Sequence, residues 1–275
     1  MSYLIVALFG LAFGSFLNVC IYRLTRGESV VTPGSHCPAC GHSIRWHDNL
    51  PLLSYLLLRG RCRDCQARIS PRYPLVEALT AVVFLVDFSL YGLTPEFFRN
   101  AVFCLLIIVV IFTDLYERRI PHPLTLFGMA VGLILSGIIP VDSRPLGWLL
   151  RQWDLFPRGT LLSILGAMVG GLIGGGLFFV VGEAFYHLRH KEGLGFGDVM
   201  LMLMAGTFLG PSMTLLTILL GSLLGTVIAL PLSLASAKFR DYHWPYGSFL
   251  GIAAIYTCLR GQALLHAYLQ WSGFR

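Results

Sequence analysis

Charge is what this chain of 275 residues most lacks. Asp, Glu, Lys and Arg make up 12% of it, against roughly 25% in a soluble domain. So little charge cannot clothe a surface that meets water on every side. An ordinary soluble enzyme, a disordered chain and a protein that coats nucleic acid are thereby excluded. Repeats of fixed period and low-complexity tails are also missing. The first apolar run has no basic start of the kind that marks a secretory signal, so it is expected to be a retained anchor.

What the chain has instead is apolar surface. Hydrophobic residues reach 56% and mean hydropathy is +0.72. A span needs about 20 apolar residues. Runs at 3–22, 75–92, 97–115, 122–140, 160–184, 198–210, 212–236 and 247–270 predict about eight transmembrane helices, with Pro211 separating the two short neighbours. The expected fold is therefore an all-α polytopic membrane protein. Gly166, Gly170 and Gly174, with Gly171 and Gly175 beside them, mark a face where membrane helices approach closely.

Residues 23–73 differ in character. They hold eight arginines, four of the seven cysteines and prolines at 33, 38, 51 and 71. With the N-terminus outside, the inner segments would be 23–73, 116–121, 185–197 and 237–246. They carry 14 of the 20 basic residues, as the positive-inside rule requires. The polar insert is then cytoplasmic, and its net charge of +5 (eight arginines against Glu28, Asp48 and Asp64) suits anionic lipid. Three parts are expected: a first helix over 1–22, the insert over 23–73 and a membrane core over 74–275.

Cys37-Pro-Ala-Cys40 and Cys62-Arg-Asp-Cys65 are two C-x-x-C pairs. Such pairs suit tetrahedral zinc held by four thiolates. Two disulfides or a redox pair are the alternative, disfavoured by a reducing compartment. Four protein ligands leave no open position, so the metal would be structural. Cys20, Cys104 and Cys258 lie in apolar spans and read as packing residues.

Two acids stand in unusual settings. Asp114 closes the apolar run AVFCLLIIVVIFTD, and Asp198 follows Gly195-Phe196-Gly197 and opens another span. An ionisable group there is costly and marks a functional site. Two carboxylates brought together cannot both ionise readily, so one keeps a proton while the other stays charged. That is the chemistry of an aspartic protease. Other roles stay open from the residues alone: an ion pair of Asp114 with Arg118 or Arg119, a helix cap at Asp198, or a proton or cation relay. The position of both acids at one membrane edge and the lack of repeat symmetry weigh against a transporter.

Several stretches in order resemble the bacterial prepilin peptidases, or type IV leader peptidases, which are intramembrane aspartic proteases of the G-x-G-D type. They are GLAFGSFLNVCIYRL (10–24), CPAC with residues 44–80, TDLYERRIPHPLTL (113–126), GLGFGDVMLMLMAG (193–206) and WPYGSFLGIAA (244–254). The resemblance implies that Asp114 and Asp198 are catalytic, with Gly195 and Gly197 completing the motif. It implies cleavage of the basic leader from type IV prepilins or type II secretion pseudopilins, after a glycine, at the cytoplasmic face of the bacterial inner membrane. It also implies N-methylation of the new terminus with S-adenosylmethionine. No Gly-rich cofactor motif locates a site for that methyl donor. The partners expected are thus prepilin-like substrates and membrane lipid, not nucleic acid. Glu117, Glu192 and Asp241 are expected to read the leader's positive charge. Met200, His122 and the WPYGSF stretch depart from the family's usual residues, a lysine, an Asp or Asn, and a PFGPF-like stretch.

Overall fold

The computed structural model describes residues 1–153, 159–190, 194–235, 242 and 244–273. Among these the regular structure is helical: α1 (Ser2–Leu24), a 3₁₀ turn (Trp46–Asn49), α2 (Leu53–Leu57), α3 (Arg72–Tyr91), α4 (Pro95–Glu117), α5 (His122–Ser136), α6 (Arg144–Arg151), α7 (Gly159–Arg189), α8 (Phe196–Ala235) and α9 (Tyr246–Trp271). The described residues contain no β-strand, only isolated bridges between His36 and Ser43 and between Arg61 and Arg68.

Among the described residues six helices are long and apolar enough to cross a membrane: α1, α3, α4, α7, α8 and α9. The difference from the eight expected runs has two sources. The runs on either side of Pro211 are two helical arms, as expected, that adjoin within the 40 residues of α8 and part at Gly210, whose φ of 72° and ψ of 176° are not helical. The run expected over 122–140 is helical only over the 15 residues of α5. That rises about 22 Å, less than the ~30 Å hydrocarbon core. The eight apolar segments are all present as helix or helix arm.

The chain divides into two compact units, Met1–Val109 and Val110–Arg275. In the first, α1 packs on α3 through small residues. A Cβ on Gly10 would lie 2.7 Å from the Ala81 Cα, and one on Gly14 would lie 2.6 Å from the Glu77 Cα. The helices touch backbone to backbone there, and Val6, Phe84, Phe97 and Ala101 fill an apolar core beside them. The polar insert is tied to this pair by buried groups. The Glu77 carboxylate accepts the Leu52 N–H at 2.8 Å. The Arg23 guanidinium, 5% exposed, donates to the carbonyls of Ser29 and Gly34 at 3.0 and 3.1 Å.

In the second unit α7 lies against α8 along the glycine face read from the sequence. Any Cβ at Gly170 or Gly174 would strike the carbonyls of Gly206 or Met202, and one at Gly175 would strike the Leu203 side chain. Close approach of this kind gains van der Waals contact where lipid supplies no hydrophobic drive. Helix α9 packs on the C-terminal arm of α8, where Gly221 and Gly225 admit Leu250 and Phe249. These contacts seat the start of α9 on that arm.

Candidate active site and metal centre

Asp114 lies one turn from the end of α4 and is 8% exposed. Its carboxylate reaches the start of α9, where the first N–H groups of a helix lack partners within it. The Ser248 N–H donates to Asp114 Oδ2 at 2.6 Å and the Ser248 hydroxyl lies 2.9 Å from the same oxygen. A 26-residue helix also directs the positive end of its dipole at this carboxylate. Gly247 makes the approach feasible: a Cβ there would lie 3.1 Å from Asp114 Oδ2 and 2.8 Å from Ile120 Cδ1.

Asp198 lies in the first turn of α8 and is 9% exposed. Its own N–H donates to the Gly195 carbonyl at 3.0 Å, and its carboxylate accepts a backbone hydrogen bond from Gly195. This is half of a capping box, the acid at the third helical position reaching back to the cap residue, which as glycine has no side chain to return the bond. The Asp198 and Asp114 carboxylates interact electrostatically, and Tyr246 lies in the field of Asp198. Ile120, from the turn after α4, packs against the starts of both α8 and α9. Its side chain would meet a Cβ on Gly197 at 3.1 Å as well as one on Gly247. The starts of α8 and α9 and the end of α4 therefore converge on one buried pair of acids.

Arg118 does not form an ion pair with Asp114 among the described residues. Its guanidinium lies over the Tyr242 ring, 4.4 Å from the centroid. Gly195 and Gly197 stand beside Asp198, Gly197 against Ile120 and Gly195 facing the carboxylate. Glu117 is exposed at the end of α4. Glu192 and Asp241 lie outside the described residues. Met200 is buried in α8, and the His122 ring lies 5.7 Å from that of Phe196. Ser248 and Ile120 had no assigned role at the sequence level. A polar residue at the start of an apolar helix was the available sign for Ser248.

The four insert cysteines are free and come together. Their sulfurs all lie within 4.8 Å of one another, with Cys37 Sγ and Cys65 Sγ 3.9 Å apart. Tetrahedral zinc with thiolates at about 2.3 Å spaces its sulfurs by about 3.8 Å, so this cluster can hold a metal ion. Each knuckle is closed by its own backbone: the Gly41 N–H bonds the Cys37 carbonyl at 2.8 Å and the Gln66 N–H bonds the Cys62 carbonyl at 3.1 Å. Although burial opposes it, hydrogen bonds from the Cys40 and Ala39 backbone and from neighbouring thiols bring the Cys37 thiol down to about 7. Cys40 gains from a backbone bond with His42, yet Cys65 and Cys37 push it up to about 12. One thiolate forms here at its neighbours' expense, a strain that a divalent cation relieves. Arg63, between the second pair, forks onto Asp48 at 2.6 and 2.8 Å and holds the Asp48 carboxyl below the usual carboxylate range.

A cleft of about 380 Å³ lies between α1 and the insert, lined by Ser15, Phe16, Arg23, Val31 and Asn49 among others. It does not fit S-adenosylmethionine. No acidic side chain lines it to take ribose hydroxyls, and both terminal nitrogens of Arg23 are already engaged with backbone carbonyls.

With this geometry in hand, comparison with known proteins is specific. Residues 8–91 match the bacterial peptidase A24 N-terminal domain, and residues 101–230 match the type IV leader peptidase family. A prepilin leader peptidase/N-methyltransferase of Aeromonas salmonicida is 33% identical over 96% of this chain and 93% of its own length. Its namesake in Pseudomonas aeruginosa is 31% identical over 98% of this chain and 93% of its own. That of Myxococcus xanthus is 37% identical over 83% of this chain, a match that spans 62% of that relative. No solved structure matches. Two matched domains in sequence, and relatives aligned over nearly the whole length, make this chain a member of the type IV leader peptidase family.

Proposed function

We propose that this protein is a membrane-embedded aspartic endopeptidase that cuts the leader from type IV prepilins or type II secretion pseudopilins, with Asp114 and Asp198 as its catalytic pair. The observation that carries the reading is the convergence of two buried carboxylates, from the end of α4 and the start of α8, within range of each other's charge. The names of its relatives supply the substrate class.

The chemistry follows from a shared proton. The charged carboxylate takes a proton from a water molecule, and the resulting hydroxide oxygen bonds the peptide carbonyl carbon. The protonated carboxyl gives its proton to the carbonyl oxygen. The proton first taken from water then passes to the leaving nitrogen as the C–N bond breaks. The collapsing diol returns a proton to the second carboxylate, leaving the new acid and restoring the pair. Gly195 and Gly197 add no side chains on the approach to Asp198, which leaves room for an extended substrate strand.

The first helix (1–22) anchors the chain, the insert (23–73) faces the cytoplasm, and 74–275 form the protease core of an inner-membrane protein with a periplasmic N-terminus. Cys37, Cys40, Cys62 and Cys65 would hold zinc, which would cross-link the insert and take no part in the cut. Relatives named as N-methyltransferases support methylation of the new terminus. S-adenosylmethionine would supply the methyl group; no residue of this chain is assigned to it. Glu117, Glu192 and Asp241 would attract the leader's basic residues.

Mass spectrometry of a prepilin co-expressed with this protein tests the reading. The expected product has lost its leader and gained the mass of one methyl group. Asp114→Asn and Asp198→Asn should each leave the precursor uncut at unchanged membrane content. Cleavage near the wild-type rate in either variant would overturn the catalytic pair.

A further inference from the structure

The two acids differ in what surrounds them. Asp114 Oδ2 meets both donors of Ser248 at the start of α9. Among the described residues Asp198 draws one backbone donor, Gly195, and no side-chain donor. The hydroxyl of Ser248 also has a second neighbour, the Ile111 carbonyl, at 3.0 Å. A serine hydroxyl carries one proton and can accept as well as donate. Ser248 Oγ thus stands between a carboxylate oxygen at 2.9 Å and a carbonyl oxygen at 3.0 Å, and can give its proton to only one of them at a time.

That constraint has two solutions, one for each state of Asp114. When Asp114 is charged, the hydroxyl turns toward it, and Oδ2 takes the Ser248 O–H and N–H together. When Asp114 carries a proton, the hydroxyl turns to the Ile111 carbonyl and accepts a hydrogen bond from the Asp114 O–H. The backbone N–H of Ser248, shared with the Pro245 carbonyl at 3.2 Å, serves Oδ2 in both cases. Ser248 is 3% exposed, so bulk water does not substitute for it. A buried polar group left without a partner is costly, and this hydroxyl keeps Asp114 satisfied on both sides of a proton transfer.

We propose that Ser248 is a positioning residue that follows the protonation state of Asp114 and makes Asp114 the member of the pair that receives the proton of water. Asp198 then holds the proton given to the carbonyl oxygen. The inference rests on the proposed catalytic pair. No proton of Ser248 is consumed: the water proton moves to Asp114, and the serine proton only changes the oxygen it points to. The geometry is particular to a residue with both an N–H and a hydroxyl. Alanine keeps the N–H alone, threonine keeps both groups, and proline would supply neither.

The test is steady-state cleavage of a prepilin by purified full-length variants in detergent micelles. Ser248→Ala should lower kcat by about 10- to 100-fold, the range for losing a hydrogen bond to a charged group. KM should stay within about twofold, because substrate does not touch Ser248 in this scheme. Ser248→Thr should recover most of the lost rate. Ser248→Gly removes the same hydroxyl with less bulk and should match Ser248→Ala, so the result does not depend on one variant folding. Wild-type kcat in Ser248→Ala, with Asp114→Asn inactive, would overturn the inference and leave the catalytic pair standing. Equal losses in the alanine and threonine variants would also overturn it, since shape rather than the hydroxyl would then matter. Activity in Asp114→Asn would instead remove the reading on which it rests.

Discussion

A methyl group added at position 247 would fall 2.8 Å from Ile120 Cδ1 and 3.1 Å from Asp114 Oδ2, inside the contact distance of both. Ile120 and Asp114 would have to move, and the hydrogen bonds of 2.6 and 2.9 Å to Ser248 would lengthen. Hydrogen bonds weaken steeply off their geometry, and misplacement of a reacting group by about 1 Å costs on the order of 100-fold in rate. Gly247→Ala should therefore lower prepilin cleavage by at least about tenfold while the protein still reaches the membrane. Adding Ile120→Val, which shortens the colliding side chain, should restore part of the activity. Cleavage assays on the single and double variants check this; an unaffected Gly247→Ala would mean that the start of α9 does not set the position of Asp114. The sequence made part of this site legible. Asp114 and Asp198 stand out because each is a charge against an apolar run, and an isolated charge there is visible without a fold. Ser248 and Ile120 do not stand out, because a serine at a helix start and an isoleucine in a turn are ordinary. Their significance lies only in which acid the fold brings to them.

At the scale of elements, the break in α8 is the feature that the residues nearly specify. Pro211 announces an interruption, but the irregular backbone is carried by the residue before it, Gly210, with φ 72°. A proline disfavours helical geometry in its predecessor, and glycine, having no Cβ, can in addition take the positive φ found here. The Asp142 carbonyl then packs where a Cβ would sit. Gly210→Ala should cost about 1–3 kcal/mol from the backbone alone, whose φ of 72° and ψ of 176° are essentially confined to glycine, with the displaced Asp142 carbonyl in addition. A thermal melt in detergent should show a lower apparent Tm than that of a control such as Gly176→Ala, a helical position with open space around it. An equal Tm would mean that the break is not fixed by Gly210. The length of α5 was less legible, because hydropathy continues to 140 while the helix ends at Ser136. Apolar sequence alone does not say where backbone leaves the helix.

The insert makes its own prediction at this scale. Its elements are too short to bury a core: a four-residue 3₁₀ turn and the five residues of α2. Four clustered thiols and the Asp48–Arg63 fork therefore carry much of its organisation. Cys37→Ser should lower bound metal and raise hydrogen exchange across 23–73 before it alters the chemistry at Asp114 and Asp198. Metal should also leave as pH falls, because the ligands bind as thiolates and protons compete for them. Elemental analysis with hydrogen exchange on the full-length protein reads both. Loss of activity with metal and exchange unchanged would contradict a structural role.

For the whole molecule, charge placement and site geometry have to agree on a side of the membrane. The end of α4, followed by Arg118 and Arg119, and the starts of α8 and α9 converge on the two acids. The insert adds eight arginines in a segment that the same count places inside. Translocating such loops is unfavourable, whereas the link between α3 and α4, Gly92–Thr94, has no charged residue to hold it back. A leader peptide that stays in the cytoplasm must meet the acids there. Alkaline phosphatase, active only outside the inner membrane, should therefore be active when fused after Leu93 and inactive when fused after Arg119. Replacing Arg118 and Arg119 with glutamine should weaken that contrast, because it removes the retained charge nearest to Asp114. Phosphatase activity after Arg119 in the unaltered sequence would put the acids on the side away from the leader, and no arrangement of hydrogen bonds around Asp114 would then make a prepilin accessible to them.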